Sequence, residues 1–255
     1  MKIVVAYKWA PNPQDLEVRP DGTVDAGRAK PAVSEYDPVA FELARRLADA
    51  TGGEVVGLTV GPAAIDTPLA RKAALSRGLD RLVLVADDAL AGADSTRLAA
   101  VLAAAVRSIG DVDVVLAGDS SIDVAEGQVP LTLAGHLGWL GLARVAAVEA
   151  TDGGLVVERD LPAGVSVLHV AGPVVLAATA DAVVPRVAGM KDILAAAKKP
   201  VEALALAALD VPAPGTALTT LATARPAQGE RRGVVLEGPT AVTDLVAALD
   251  LAGAR

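Results

Sequence analysis

Four short apolar runs, each followed by a longer segment with apolar residues at helical spacing, constrain this chain more than anything else in it. The runs are Ile3–Ala6, Glu54–Val60, Arg81–Ala86 and Val112–Ala117. Strands of that length alternating with helices need crossover connections, and crossovers give a parallel sheet covered by helices on both faces. The helix signals are local. Asp37 stands where a cap belongs, and Pro38 takes the first helical position, where its missing N–H costs nothing. Ala40, Leu43, Ala44 and Leu47 then share one face until Gly52-Gly53. A second helix opens at Asp66 and Pro68 and is expected to reach Gly78. A third is capped by Asp94 or Ser95 and runs through Ile109, and a fourth covers Val129 to Leu137. The expected fold class is α/β, with a parallel sheet as the middle of three layers.

After residue 140 the rhythm changes. Ala143–Ala150 and Gly154–Arg159 read as strands joined by the hairpin signal Asp152-Gly153-Gly154, and Val174–Ala178 as a further strand. Met190–Ala197 reads as a helix ending at Lys198-Lys199-Pro200. Pro212, Pro214, Gly215, Pro226, Gly229 and Gly233 break up the stretch beyond it. A last amphipathic helix after Thr240, with Leu245, Leu249 and Leu251, reads as an arm that needs something to pack on.

Composition narrows the function. Hydrophobic residues make up 53% of the chain and aromatics 2%, so the core is built from Ala, Val and Leu. Small side chains let helices lie close on a sheet, and the valines suit strands. A net charge of −8 argues against nucleic acid or an anionic membrane surface as the main partner. The absence of cysteine excludes disulfides, thiolate metal sites and a cysteine nucleophile. His136 and His169 are too few for a histidine-rich metal site, and no metal is expected. Met1 to Ala6 runs straight into a strand without a signal-peptide pattern, and no apolar stretch is long enough to span a bilayer. A cytoplasmic protein without membrane insertion is the expectation.

The segment Ala117-Gly118-Asp119-Ser120-Ser121-Ile122-Asp123 sits where a parallel strand ends, and ligands of open α/β sheets bind beyond the carboxyl ends of strands. Gly118 would allow close backbone approach, Ser120 and Ser121 offer hydroxyls, and the helix after Gly127 presents free N–H groups. A phosphate or ribose cradle and an ordinary polar strand-to-helix loop both fit this segment. Ala6-Tyr7-Lys8, Asp37-Pro38 and Val60-Gly61-Pro62 point to the same rim, which would frame a cleft of nucleotide size. No GxGxxG follows the first strand and no GxxxxGK[ST] occurs, which disfavours a dinucleotide dehydrogenase and a P-loop NTPase. A triad of Ser120 or Ser121 with His136 and Asp123 lacks a GxSxG elbow. His136 reads as a partly exposed helix residue, Trp9 and Trp139 as packing residues, and Glu230-Arg231-Arg232 as a solvated turn. No catalytic residues are expected.

Several segments, taken in order, resemble the beta subunit of electron-transfer flavoproteins, including the nitrogen-fixation-associated branch. Val5-Ala6-Tyr7-Lys8 looks like the family's opening Val-Ala-Val-Lys, Val18-Arg19-Pro20-Asp21-Gly22 like its glycine-bearing basic loop, and Val60-Gly61-Pro62 like its second-strand Gly-Pro. Ala73 to Arg81, Leu116 to Val129 and Leu137-Gly138-Trp139 are similar to further family segments. The most specific match is Val184-Pro185-Arg186 through Lys198-Lys199-Pro200. Asp37 stands where the family usually has Asn, Val184 where it has Glu, and Val124-Ala125-Glu126 where it has an acidic or Gly-Asp pair.

The resemblance implies a Rossmann-like nucleotide-binding domain over residues 1–200 and a C-terminal arm over 201–255 that packs on a partner subunit. It implies a heterodimer with an alpha subunit that carries the redox FAD, and a structural AMP, or FAD in bifurcating relatives, in this subunit. Acyl-CoA or related flavin dehydrogenases would donate electrons, and a quinone oxidoreductase would accept them. Carried over by position, the nucleotide contacts are Ala6, Asp37, Pro38, Val39, Ala40, Val60, Gly118, Asp119, Ser120, Ser121, Ile122, Asp123, Val124, Ala125, Glu126, Gly127, Gln128 and Val129. Pro185, Arg186, Met190 and Ile193 fall on the segment that docks dehydrogenases. The alternative is a stand-alone adenine-nucleotide-binding protein similar to universal stress proteins, which would explain the rim but not the Pro-Arg to Lys-Lys segment or the arm. An ATP-hydrolysing or adenylating enzyme ranks last, because its Ser-Gly-Gly-x-Asp-Ser loop is absent.

Overall fold

Burial on both faces drives β1 (Lys2–Ala6) into the middle of the sheet, where Ile3, Val4 and Val5 have no exposed surface. The computed structural model describes residues 1–213, 218–227, 229 and 233–251, so the expected breaks at Pro214 and Gly215 and the expected turn Glu230-Arg231-Arg232 lie outside the described residues. After β1 the expected polar loop folds into β2 (Trp9–Pro11), β3 (Glu17–Val18), β4 (Val24–Asp25) and β5 (Pro31–Val33). They form two small antiparallel ribbons, β2 with β5 and β3 with β4. The alternation then follows as α1 (Pro38–Thr51), β6 (Glu54–Gly61), α2 (Pro68–Leu75), β7 (Arg81–Ala86), α3 (Ser95–Ile109), β8 (Val114–Gly118) and α4 (Val129–Leu137). Beyond it lie β9 (Leu140–Thr151), β10 (Gly154–Leu161), β11 (Gly164–Val170), β12 (Val174–Ala178), α5 (Met190–Ala196), β13 (Val201–Ala203) and α6 (Ala241–Leu251).

The main sheet has the order β11-β10-β9-β12-β8-β1-β6-β7-β13. All pairs from β9 to β13 across that order are parallel, and β9, β10 and β11 form an antiparallel meander at one edge. Successive strand residues feed opposite layers. Ile3, Val5, Val114 and Leu116 pack with α1, α2 and α5, while Val4, Ala6, Val115 and Ala117 pack with α3 and α4. The result is the three-layer α/β fold, Rossmann-like, that the alternation predicts.

Several local readings need correction. Asp37 holds the N-cap position of α1, yet its backbone is already helical (φ −83°, ψ −25°) and its side chain makes no cap hydrogen bond. Thr67, not Asp66, caps α2, accepting from the Ala70 N–H at 3.1 Å, while Asp66 pairs with Arg71. α2 stops at Leu75 rather than Gly78, and Lys199 Nζ donates to its last carbonyl at 3.0 Å. Asp94 is the cap of α3, accepting from Arg97 N–H at 2.8 Å. β9 is longer at both ends than expected, and β11 is a strand that the sequence pattern does not announce.

The stretch from residue 201 begins on the sheet. β13 runs parallel to β7, and Leu204, Leu206, Leu209 and Val211 pack on the α3 layer. The later α6 buries none of its residues, with Val242 and Leu251 at 75% and 90% exposure. Among the described residues no helix is long and apolar enough to cross a membrane.

Candidate functional site

The strand order reverses direction beside β1. From β1 the chain moves outward through β6 and β7, then returns on the other side of β1 as β8. Such a switch point leaves a crevice beyond the carboxyl ends of the two strands, since the connecting helices depart to opposite faces. Asp37 spans it. Its Oδ2 accepts from the Lys8 N–H at 2.8 Å, just past the end of β1, and its Oδ1 from the Gly118 N–H at 3.3 Å, at the end of β8. One buried carboxyl therefore ties the two strand ends together. Burial pushes its pKa up to about 7, with Asp123 adding to the rise and the two backbone hydrogen bonds and Lys8 opposing it.

Gly118 is small for a reason internal to the fold. A Cβ there would sit 2.5 Å from the Tyr36 carbonyl oxygen and 2.9 Å from Asp37 Oδ1. The close approach that the sequence suggests at this glycine is made by the segment entering α1.

A cavity of about 480 Å³ opens at the switch point. That is within the range of small-molecule pockets, roughly 300–1,000 Å³. One wall is Ala6, Tyr7, Lys8 and Trp9; another is Val60, Gly61, Pro62 and Ile65; the far side is the start of α3, from Asp94 to Thr96, with Leu90 beneath it. The loop from Ser120 to Pro130 closes the third side, and Leu218 and Thr220 reach the rim. Leu218 is held there by its N–H, which donates to Asp94 Oδ2 at 2.9 Å.

Of the residues singled out from the sequence, Ala6, Asp37, Val60, Gly118, Ser120, Ser121, Asp123, Val124, Glu126, Gly127, Gln128 and Val129 line this cavity. Pro38 is the first residue of α1, and Val39 and Ala40 are buried in the opposite layer of the core. Ile122 anchors the loop by its N–H, which donates to the buried Ser34 Oγ at 3.2 Å. Ala125 takes a left-handed backbone (φ 52°) that turns the loop toward α4. Asp119 points elsewhere: its Oδ1 is buried without a hydrogen-bond partner, and burial raises its pKa. Sequence reasoning missed the contribution of Asp94, Ser95 and Thr96. The signal was present, since a helix that starts just after β7 begins on the same rim.

The loop is latched by two carboxylates. Asp123 forms an ion pair with Lys8 Nζ at 2.7 Å. Burial pushes Asp123 up, but the hydrogen bonds and charge of Lys8 and the Ser121 hydroxyl hold it below its ordinary value. Glu126 accepts from the Ser95 hydroxyl in the first turn of α3. α4 starts differently: Gln128 places no side-chain cap on it, and its first turn carries no acidic residue. Ser120, Ser121 and the start of α4 line the same cavity, with the Ser121 side chain hydrogen-bonded to Asp123, and with Pro130, which has no N–H, as the second residue of α4. Among the described residues that line the cavity, Lys8 is the only cation, against Asp37, Asp94, Asp123 and Glu126.

The imagined triad is not assembled. His136 lies in the last turn of α4, roughly 10 Å along the helix from its start, and its carbonyl accepts from Arg107. Trp9 lines the cavity, and its indole N–H is buried without a partner, while Trp139 packs on the α3 layer. Among the described residues no group of three or more His, Cys, Asp or Glu is placed to hold a metal ion.

The second segment of interest lies on the layer of α1 and α5. Arg186 is gripped by Glu42 of α1, at 2.6 Å from Nε to Oε2. Met190 is 72% exposed, Ile193 is half-buried, and Pro185 is partly covered. Val184, Val187 and Leu194 add further exposed apolar surface around them.

The sequence model of one protein family, the electron transfer flavoprotein domain, matches residues 21–209. That span takes in every strand of the main sheet except β1, the loop from Ser120 to Pro130, and the segment from Pro185 to Ile193.

Proposed function

The chain belongs to the electron transfer flavoprotein domain family, and on that footing we propose that it is the beta-type subunit of a heterodimeric electron-transfer flavoprotein, holding an adenine nucleotide in the switch-point cavity. The observation that carries the nucleotide reading is the cavity itself, which Ser120, Ser121 and the uncapped start of α4 all line. Ser120, Ser121 and the α4 start would hold a phosphate, and the apolar wall of Ala6, Val60, Ile65 and Leu90 would take the base and ribose. When bound, AMP would supply no redox chemistry and FAD would supply a flavin. This chain's residues bind and exclude water, and a ligand that binds only the folded form stabilises it by mass action.

The alpha-type partner would carry the FAD that exchanges electrons. The apolar surface of Val187, Met190 and Leu194, together with α6, supports docking roles: the first for an acyl-CoA or related flavin dehydrogenase, the second as the arm that packs on the partner. Exposed apolar residues that gather into a contiguous patch are a mark of interaction sites. Electrons would pass from the dehydrogenase to an acceptor such as a quinone oxidoreductase. Co-expression with an alpha-type chain tests the assignment. A yellow complex that co-elutes in size exclusion is expected; a colourless chain that stays alone or forms only homo-oligomers would refute it.

A further inference from the structure

The chain beyond β13 comes back to the cavity and is pinned on both sides of it. Arg97 Nη1 donates to the Pro212 carbonyl at 2.9 Å, which holds the approach against α3. The Leu218 N–H donates to Asp94 Oδ2 at 2.9 Å, while Asp94 Oδ1 caps α3 by accepting from the Arg97 N–H at 2.8 Å. Leu218 and Thr220 line the cavity. Further on, Ala224 forms an antiparallel bridge with Thr23, and the Arg225 N–H donates to the Gly22 carbonyl at 2.8 Å. Gly22 and Thr23 lie in the turn between β3 and β4, the ribbon that follows the β1 wall of the cavity. Apolar burial does little to hold this stretch, since Leu218 and Leu221 are 74% and 94% exposed. A segment fastened by a few backbone hydrogen bonds at its ends opens more readily than the sheet beneath it.

Resting on the nucleotide reading for the identity of the ligand, we propose that residues 218–225 form a strap across the mouth of the switch-point cavity that gates the entry and exit of its ligand. A wall of the site would contact the ligand and slow its departure alone. A gate slows entry and departure together and leaves the affinity nearly unchanged. Asp94 is the positioning residue of this gate: one carboxylate oxygen belongs to α3 and the other to the strap. The far end is fixed by backbone alone, at Gly22 and Thr23, away from the cavity lining. Each end can therefore be released separately.

The test releases one end at a time in the full chain. Arg225→Pro removes the N–H that bonds to Gly22. Asp94→Asn keeps one oxygen to cap α3 and turns the other acceptor into a donor, which the Leu218 N–H cannot use. Stopped-flow emission of Trp9, in a Trp139→Phe background, follows association and dissociation of AMP. Acrylamide quenching of the same tryptophan, without nucleotide, reports access to the cavity whatever it binds. Both variants are expected to speed AMP association and dissociation about tenfold each, as for loss of one hydrogen bond, with Kd changing less than about threefold. Quenching of Trp9 is expected to rise in both. Unchanged rates and unchanged quenching in both variants overturn the strap and leave the nucleotide reading intact. Faster dissociation alone, with a matching loss of affinity, makes the stretch a wall and also overturns the gate. Increased quenching in proteins that bind no AMP upholds the strap and overturns the nucleotide reading. No binding and no change in quenching overturn both.

Discussion

Arg186 closes on Glu42 from 144 residues further along the chain, Nε to Oε2 at 2.6 Å and Nη2 to Oε1 at 3.3 Å. Its own backbone N–H adds a third contact, and Arg46 holds the other side of the same carboxylate at 2.8 Å. Glu42 is buried in α1, so the pair fastens the segment before α5 to the sheet's helical layer. The proposed docking face is thus fastened to α1.

Glu42 sets an acid limit. Burial alone would raise its pKa, but the hydrogen bonds from Arg186 and Arg46 win and hold it at about 2, below the ordinary 4.5. A carboxyl depressed in the folded state contributes stability that is full above pH 4.5 and is lost as pH falls toward about 2. Arg186→Ala should remove about 1 kcal/mol at neutral pH, discounted for the solvent around the half-exposed guanidinium. Its deficit should shrink across that acid window. Chemical denaturation at several pH values measures this, and a pH-independent deficit would count against the pair.

Asp37 acts in the opposite sense. Its folded pKa of about 7 lies above the ordinary 3.8, so its contribution is full below pH 3.8 and is lost as pH rises through 7. Asp37→Asn should therefore gain on the wild type between pH 5 and pH 8, by on the order of 2 kcal/mol. It sacrifices one of the two acceptors for Lys8 and Gly118, so its starting stability at low pH is expected to be lower. Parallel stability profiles for the two proteins would show that the carboxyl is ionised in the fold throughout.

Gly118→Ala would bring a methyl carbon to 2.5 Å from the Tyr36 carbonyl oxygen, which is backbone and cannot swing aside. A loss of about 1–3 kcal/mol is expected. Because the clash separates the end of β8 from the entry to α1, nucleotide binding should weaken as well. A melting temperature equal to wild type would mean that this approach is looser than described.

Much of the fold was legible in the sequence, and the misses share a cause. The alternation from β1 to α4 follows from local periodicity and caps, signals that lie within a few residues. The short strands β2 to β5 were hidden because two or three residues among prolines and glycines carry no period. β11 was hidden because Val165, Val167 and His169 face solvent while Leu168 and Val170 face the core, so apolar residues fall on both faces. Asp37 looked like a cap from its neighbours, but its partners, Lys8 and Gly118, come from two other strands. Glu126 belongs to a stretch that departs from the family pattern; only the fold shows that the Ser95 hydroxyl donates to it.

Trp9 provides a direct optical probe, since it lines the cavity and Trp139 does not. Added AMP should change the tryptophan emission of the wild type and of Trp139→Phe, and leave that of Trp9→Phe unchanged. A response that follows Trp139 instead would place the ligand elsewhere.

The exposed apolar face of α5 offers a test of docking apart from stability. Met190→Glu or Leu194→Glu removes apolar surface that is 72% or 64% exposed. Each should alter folding stability by less than about 0.5 kcal/mol. Reduction of the complex by an acyl-CoA-type flavin dehydrogenase should nevertheless slow about tenfold or more, as for loss of a binding anchor. Unchanged reduction would remove this face from the docking account.

On the proposed function, this chain holds an adenine nucleotide at the switch point between β1 and β8 while an alpha-type partner carries the working flavin. Denaturing the purified complex and identifying what it releases by mass spectrometry tests it most directly. AMP in equal amount to this chain, beside the partner's FAD, is the predicted result. Release of no nucleotide beyond the partner's FAD, from a chain that still forms the complex, would contradict it.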